Sequence, residues 1–311
     1  MASEERHYDV IVIGSGPSGR TVAQRLAKNS FSVALVEDEL VGGDCAYWAC
    51  IPSKALLRPP EALTEAREVN GSRQAAQGQT KMLQEGGVDI VRGQGKLDGP
   101  RRVIVVSNNN NNGYTGSDYS DSITSNSSAI TKVLLADHAV VLSTGSSPVI
   151  PSRIQGLVEA RPWTSRNATS SKKAPRSLAI IGDGAVACEM AHAWWALGTT
   201  EVIIISKHKR ILDKYEPMVS DRLAEAFKQR GISIHNNVNV REVKRINSSN
   251  SKEENGSSVQ VILDDGNTTI TAEELLVAVG RKPKTDKLGL ETVGLKPGNW
   301  LERWRVAICS W

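Results

Sequence analysis

Nowhere does the chain contain a run of about 18 apolar residues, the length a helix needs to cross a bilayer, so no membrane partner is expected. The opening Met1-Ala2-Ser3-Glu4-Glu5-Arg6 has no basic segment leading into an apolar core. A secretory signal is therefore not visible, and a soluble, cytoplasmic protein is the expectation. A dominant charge is lacking too: 38 Lys and Arg stand against 34 Asp and Glu, spread along the chain for a net +4. That gives little reason to expect nucleic acid as a partner. Cysteine is scarce, with four residues in 311. Cys45 and Cys50 lie five apart, but Cys188 and Cys309 supply no second ligand pair for a zinc site. In a reducing compartment such a pair is more often catalytic than a structural staple, although two ordinary buried thiols remain the plain alternative.

With 40% hydrophobic and 23% charged residues the balance is that of a soluble globular protein, and the length suits about two domains. Residues 8–13 (Tyr-Asp-Val-Ile-Val-Ile) read as a short buried strand. Gly14-Ser15-Gly16-Pro17-Ser18-Gly19 follows at once, then a helical stretch over 21–28 and a second strand over 31–36 that ends in Glu37. This is a dinucleotide-binding βαβ pattern. Gly14 allows the tight turn, Gly16 lets the backbone approach a pyrophosphate, and Gly19 lets helix and strand pack closely. The helix start faces the phosphates, and Glu37 is placed to accept from ribose hydroxyls.

The pattern recurs. Residues 177–181 (Ser-Leu-Ala-Ile-Ile) read as a strand, Gly182-Asp183-Gly184-Ala185-Val186-Ala187 supplies the turn with Ala187 as its third small residue, and 201–205 form another strand. At its end no acid stands. Ser206 is there instead, followed by Lys207, His208, Lys209 and Arg210. A cationic cluster there suits a 2′-phosphate and lacks the carboxylate that would repel it, so NADPH is favoured over NADH; a solvated basic turn is the bland alternative. Two such units in one chain need two dinucleotides. Residues 107–128, rich in Asn, Ser, Gly, Asp and Thr, and the polar stretch 247–258 read as disordered hairpin insertions. Helices are expected over 61–68 and 80–85, and strands near 88–91 and 102–106.

The stretch on which the chemistry turns is Gly42-Gly43-Asp44-Cys45-Ala46-Tyr47-Trp48-Ala49-Cys50-Ile51-Pro52-Ser53-Lys54. In an undistorted helix, residues five apart have Cα atoms roughly 8 to 9 Å apart, too far for a disulfide. Pro52 cannot donate to the carbonyl of Trp48 and crowds that turn, so a local distortion is expected. Such a distortion could bring Cys45 and Cys50 within bonding reach.

With its surroundings this stretch resembles the redox-active segment of the pyridine nucleotide-disulfide oxidoreductases, the group of glutathione reductase, lipoamide dehydrogenase and mercuric reductase. Residues 139–148 (Ala-Val-Val-Leu-Ser-Thr-Gly-Ser-Ser-Pro) and 275–290, with Gly280 and Arg281, are similar to the family's two crossing segments. The resemblance implies an α/β fold of two Rossmann-like domains: an FAD-binding domain over 1–150, an NAD(P)H-binding domain over 151–279, and a partial return over 280–311. It implies that NADPH reduces FAD and that the flavin reduces a Cys45–Cys50 disulfide. Cys50 would lie against the flavin, and Cys45 would exchange with a small disulfide or other acceptor. Gly43, Thr144 and Gly145 would lie near the flavin nucleotide, and Lys54 would pair with Glu189 beside the ring. Tyr47-Trp48-Ala49 departs from the commoner Asn-Val-Gly and leaves the acceptor open.

The resemblance runs from about residue 8 to 294. A family member would continue into a further flavin segment and an interface domain bearing a His-Glu dyad. Here the chain ends with Trp300, Trp304 and Trp311 in an unrelated stretch. The expectation is a C-terminally truncated member without the dimerisation domain that makes the family homodimeric, whether from a shifted frame, a retained intron or a short isoform. A catalytically impaired nucleotide-binding protein is the rival reading. A flavin monooxygenase would leave the cysteine stretch unexplained.

Overall fold

The computed structural model describes residues 4–57, 72–106, 130–247 and 257–298. The helix expected over 61–68, the insertion at 107–128, most of that at 247–258 and the tryptophan-rich tail lie outside these. The chain divides into two units, one drawing on residues 1–50, 69–147 and 282–311, the other on 51–68 and 148–281.

In the first unit the elements run β1 (Glu4–Ile13), α1 (Pro17–Lys28), β2 (Val33–Glu37), α2 (Gly43–Tyr47), α3 (Cys50–Leu57), α4 (Ser72–Glu85), β3 (Val88–Arg92), β4 (Gln94–Leu97), β5 (Arg102–Val106) and β6 (Ile130–Leu142). Helix α3 carries the chain into the second unit after Cys50. The sheet order is β3-β2-β1-β6-β5-β4. Strands β3, β2, β1 and β6 are parallel, with Ile11 opposite Ala34 on one side and Val140 on the other; β5 and β4 continue antiparallel. Every residue of β2 is buried, as a strand covered on both faces requires, and this is why its sequence is apolar from Val33 to Val36, before the acid at its end. Val10, Val12 and Leu35 pack toward Ala23 of α1 and Leu83 of α4. Ile11, Ile13 and Val36 face Leu97, Val103 and Val105, with Leu288 and Leu290 of the returning segment. The flanks of the 107–128 insertion pair antiparallel, Val106 opposite Ile130.

The second unit repeats the plan. Between β7 (Ser146–Pro148) and β15 (Arg281–Pro283), which straddle its boundaries, come α5 (Ser165–Ser170), β8 (Ser177–Ile181), α6 (Ala185–Ala196), β9 (Glu201–Ile205), α7 (Pro217–Gln229), β10 (Ser233–His235), β11 (Val240–Asn247), β12 (Ser257–Leu263), β13 (Thr269–Ala272) and β14 (Glu274–Val277). A parallel sheet of order β10-β9-β8-β14 packs Leu178, Ile180 and Ile204 against α6 and α7. Its other face packs Ala179, Ile181 and Ile205 against Val243, Val259 and Val261 of the antiparallel β11-β12-β13 ladder. Alternate residues of β8 thus serve opposite layers. Burying each such aliphatic side chain stabilises the unit by about 1.5–3 kcal/mol, which lets both strands hold positions that few local propensities would enforce.

Each sheet reverses its order beside its first strand, between β1 and β6 and between β8 and β14. Ligands of open α/β sheets bind where the strands diverge at such a point. The glycine turns sit there. Gly14 has φ +99° and a Cβ on it would lie 2.2 Å from the Ser143 carbonyl oxygen; Gly182 has φ +126° and would lie 2.4 Å from that of Ala278. Since both obstacles are backbone, Gly14→Ala and Gly182→Ala should each lower the stability of their own unit by at least about 2 kcal/mol in urea titration. An unchanged midpoint would contradict this account of the turns.

Candidate active site

The cysteine segment is docked on the first glycine turn. Gly42 and Gly43 turn the chain with φ +126° and +65°. The Gly42 N–H donates to Ser15 Oγ at 3.1 Å, and a Cβ on Gly43 would meet Gly16 Cα at 2.9 Å. Tyr47 is buried, stacks obliquely on Trp48 at 5.5 Å between ring centroids and donates its hydroxyl to the Val41 carbonyl at 2.9 Å. Helix α2 ends at Trp48 and α3 begins at Cys50. Pro52 falls in the first turn of α3, where a missing N–H leaves nothing unpaired. The helix is therefore broken between the two cysteines.

Cys45, half-buried, and Cys50, exposed, are free thiols joined by a hydrogen bond. The Cys45 pKa is raised, chiefly by burial and then by Cys50, while the Arg20 cation pulls it back in part. Arg20, in the first turn of α1, has its Nε buried without a partner among the described residues; the sequence reading had passed over it. Cys188 is different. Burial, followed by Asp183 and Glu189, pushes its pKa up to about 12, which makes it an inert packing residue.

The two glycine turns leave space at corresponding positions. Gly16 (φ −59°) and Gly184 (φ −79°) sit in conformations open to any residue, and a Cβ on either would meet nothing within 4 Å. The chain itself does not demand glycine there; a group approaching from outside would. Neither α1 nor α6 has a side-chain cap on its first turn, so backbone donors stay available for an anion. The room and the donors fit a pyrophosphate in each unit. Gly19 and Ala187 serve packing: a Cβ on Gly19 would lie 1.9 Å from the Gly14 carbonyl oxygen, and Ala187 is fully buried.

Glu37 ends β2 almost buried. Its Oε2 accepts the Ser15 N–H at 2.9 Å and the Ser15 hydroxyl at 2.5 Å, and Oε1 accepts the Glu39 N–H at 2.9 Å. Asp38, partly open to water yet surrounded by dense protein, has its pKa pushed up to about 7, first by lost hydration and then by Glu37 and Glu39, with Lys284 pulling the other way. Thr144 and Gly145 are tied to the returning chain: Thr144 Oγ1 donates to the Lys284 carbonyl at 2.9 Å and the Lys284 N–H to the Gly145 carbonyl at 3.0 Å.

In the second unit Lys54 Nζ lies 3.6 Å from Glu189 Oε1, with side chains 65% and 35% exposed. So exposed a pair is worth at most about 1 kcal/mol. Gly280 (φ +138°) accepts the Val149 N–H at 3.0 Å, next to exposed Arg281. Lys207 and Lys209 are exposed and Arg210 is half-buried. The strand end is not free of carboxylate, as its sequence suggests. Asp183 reaches it from the glycine turn, its Oδ2 accepting the Ser206 hydroxyl at 2.5 Å and lying 2.7 Å from His208 Nδ1. The Gly-Asp-Gly spelling of that turn was the available signal.

Among the described residues no group of three metal-ligating side chains forms, and no helix is long and apolar enough to cross a membrane. The family model for pyridine nucleotide-disulphide oxidoreductases matches residues 8–302. The chain is 29% identical over 316 residues to a mercuric reductase of Staphylococcus aureus, covering 94% of this chain and 51% of that protein. It is 29% identical over 314 residues to a dihydrolipoyl dehydrogenase of Chlorobaculum tepidum, covering 93% and 60%. The HOCl-induced flavoprotein disulfide reductase RclA of Escherichia coli superposes with a TM-score of 0.73 at 23% identity, over 93% of this chain and 60% of that one. The chain thus spans about half to three fifths of the length of these relatives.

Accessibility and the pKa shifts order the thiols. In the reduced native chain at pH 8, iodoacetamide should label Cys50 first, Cys45 more slowly with a rate that rises with pH, and Cys188 only after denaturation. Peptide mass mapping checks this; labelling of native Cys188 at the Cys50 rate would contradict the assignment.

Proposed function

The chain belongs to the pyridine nucleotide-disulphide oxidoreductase family, and we propose that it carries electrons from NADPH through FAD to the Cys45–Cys50 pair and on to a small disulfide or similar acceptor. The family binds FAD and NAD(P)H and is typically homodimeric. The carrying observation is the docking of the cysteine segment on the first glycine turn, where Gly43 touches Gly16, so the place reserved for a nucleotide and the thiol pair share one wall.

In this reading the first unit holds FAD through Gly14, Gly16, Gly19, Glu37, Gly43, Thr144 and Gly145, and the second holds NADPH through Gly182, Gly184, Ala187, Lys207, Lys209 and Arg210. Acids at 37–39 favour an unphosphorylated ribose, and the cations at 207–210 favour a 2′-phosphate. Bound FAD would supply a two-electron relay. The balance is then NADPH, a proton and the Cys45–Cys50 disulfide giving NADP+ and two thiols. Cys50 would lie on the flavin side and Cys45 would attack the acceptor, whose sulfur–sulfur bond would break as a mixed disulfide forms. Lys54 is paired with Glu189, and Gly280 with Arg281 leads the chain back. Thiols that must cycle suit a reducing cytoplasm.

The test is anaerobic addition of one equivalent of NADPH to the oxidised, FAD-loaded chain, followed by alkylation and mass mapping. The reading expects two new thiols, at Cys45 and Cys50, for each NADPH oxidised, and none in Cys45→Ser. NADPH consumed without new thiols would overturn the disulfide role, and a chain that retains no FAD would overturn the whole reading.

A further inference from the structure

The loop that carries the cationic cluster is closed on one residue. Asp183, its side chain only 15% exposed, takes the Ser206 hydroxyl at 2.5 Å and His208 Nδ1 at 2.7 Å on a single carboxylate oxygen. Ser206, fully buried, also accepts the His208 N–H on its Oγ at 3.0 Å. At the far end of the loop the Leu212 N–H donates to the main-chain carbonyl of Asp183 at 2.7 Å. Asp183 thus holds residues 206 and 208 with its side chain and residue 212 with its backbone, and Lys207, Lys209 and Arg210 lie between. None of those three makes an ion pair among the described residues.

The first unit makes the same hydroxyl-to-carboxylate link, also at 2.5 Å, with the partners exchanged: Ser15 in the turn and Glu37 at the strand end. The exchange has a physical consequence. In the first unit the acid belongs to the strand end itself; in the second it reaches the strand end from the glycine turn, and the residues that follow Ser206 include Lys207, Lys209 and Arg210.

We infer that Asp183 is a positioning residue that sets nucleotide specificity, shaping the 206–212 loop so that Lys207, Lys209 and Arg210 converge on a 2′-phosphate. This rests on the NADPH reading above. Two effects of opposite sign follow. The tether favours phosphate, because it holds three flexible cations in one place at lower entropic cost. The negative charge opposes phosphate. Asn at this position keeps an oxygen to accept from Ser206 and His208 while removing the charge; Ala removes both.

The experiment is calorimetric titration of the full chain and of its D183N and D183A variants with adenosine 2′,5′-bisphosphate and with adenosine 5′-monophosphate, a readout independent of turnover. The inference expects the wild type to prefer the bisphosphate. D183A should lose that preference by about tenfold with little change for the monophosphate, and D183N should retain it or raise it by about threefold. If the preference is present but identical in all three proteins, Asp183 does not set specificity and only the NADPH reading survives. If D183A weakens both probes equally, its role is general to the fold and the inference fails. If the wild type shows no preference, the NADPH reading itself falls and takes the inference with it.

Discussion

A carbonyl oxygen pressed against a glycine governs this molecule twice. Ser143 O stands where a side chain on Gly14 would be, and Ala278 O where one on Gly182 would be. Each contact forces the chain into a left-handed turn directly after the first strand of its sheet. That turn aims the following helix, α1 or α6, at the point where the strand order reverses. It also delivers the next glycine, Gly16 or Gly184, to a place where an added Cβ would meet nothing of the protein within 4 Å. The crowded glycine makes the turn and the uncrowded one leaves room for a ligand.

Everything chemical is arranged around those turns. The cysteine segment uses Ser15 Oγ and the surface of Gly16 as its footing, so its position depends on the first turn having formed. The loop of Lys207, Lys209 and Arg210 uses Asp183 in the same way. In each unit a hydroxyl and a carboxylate join turn to strand end, with the two partners exchanged between the units. One fold plan thereby prepares two different electrostatic environments.

Much of this could be read from the residues. The runs at 10–13, 33–36 and 178–181 are apolar throughout because both faces of their strands are covered, and the glycine spacing follows from the turn they must make. Strand β1 nonetheless starts at Glu4, because its polar first residues pair with β6 in a ladder far along the chain, which no local pattern announces. The break between the cysteines was foreseen from Pro52, yet it falls at Trp48 and Ala49, since Pro52 is accommodated in the first turn of α3. The proximity of Lys54 to Glu189 was legible only through resemblance, for the two lie 135 positions apart. The residue at the second strand end is Ser206, not an acid, yet a carboxylate reaches it. The acid stands in the turn, 23 residues earlier than Ser206.

The central claim is that Gly16 and Gly184 keep space for two different dinucleotides. It is tested most directly by measuring, on Gly16→Ala and Gly184→Ala side by side, retention of FAD and the oxidation of NADPH by an artificial acceptor. Because an added Cβ meets nothing in the protein at either position, both variants should unfold like the wild type. Gly16→Ala should lose FAD affinity by about tenfold or more, and Gly184→Ala should keep its FAD while its apparent affinity for NADPH falls by a similar factor. Undiminished binding in both variants, or FAD lost from Gly184→Ala alone, would contradict the account.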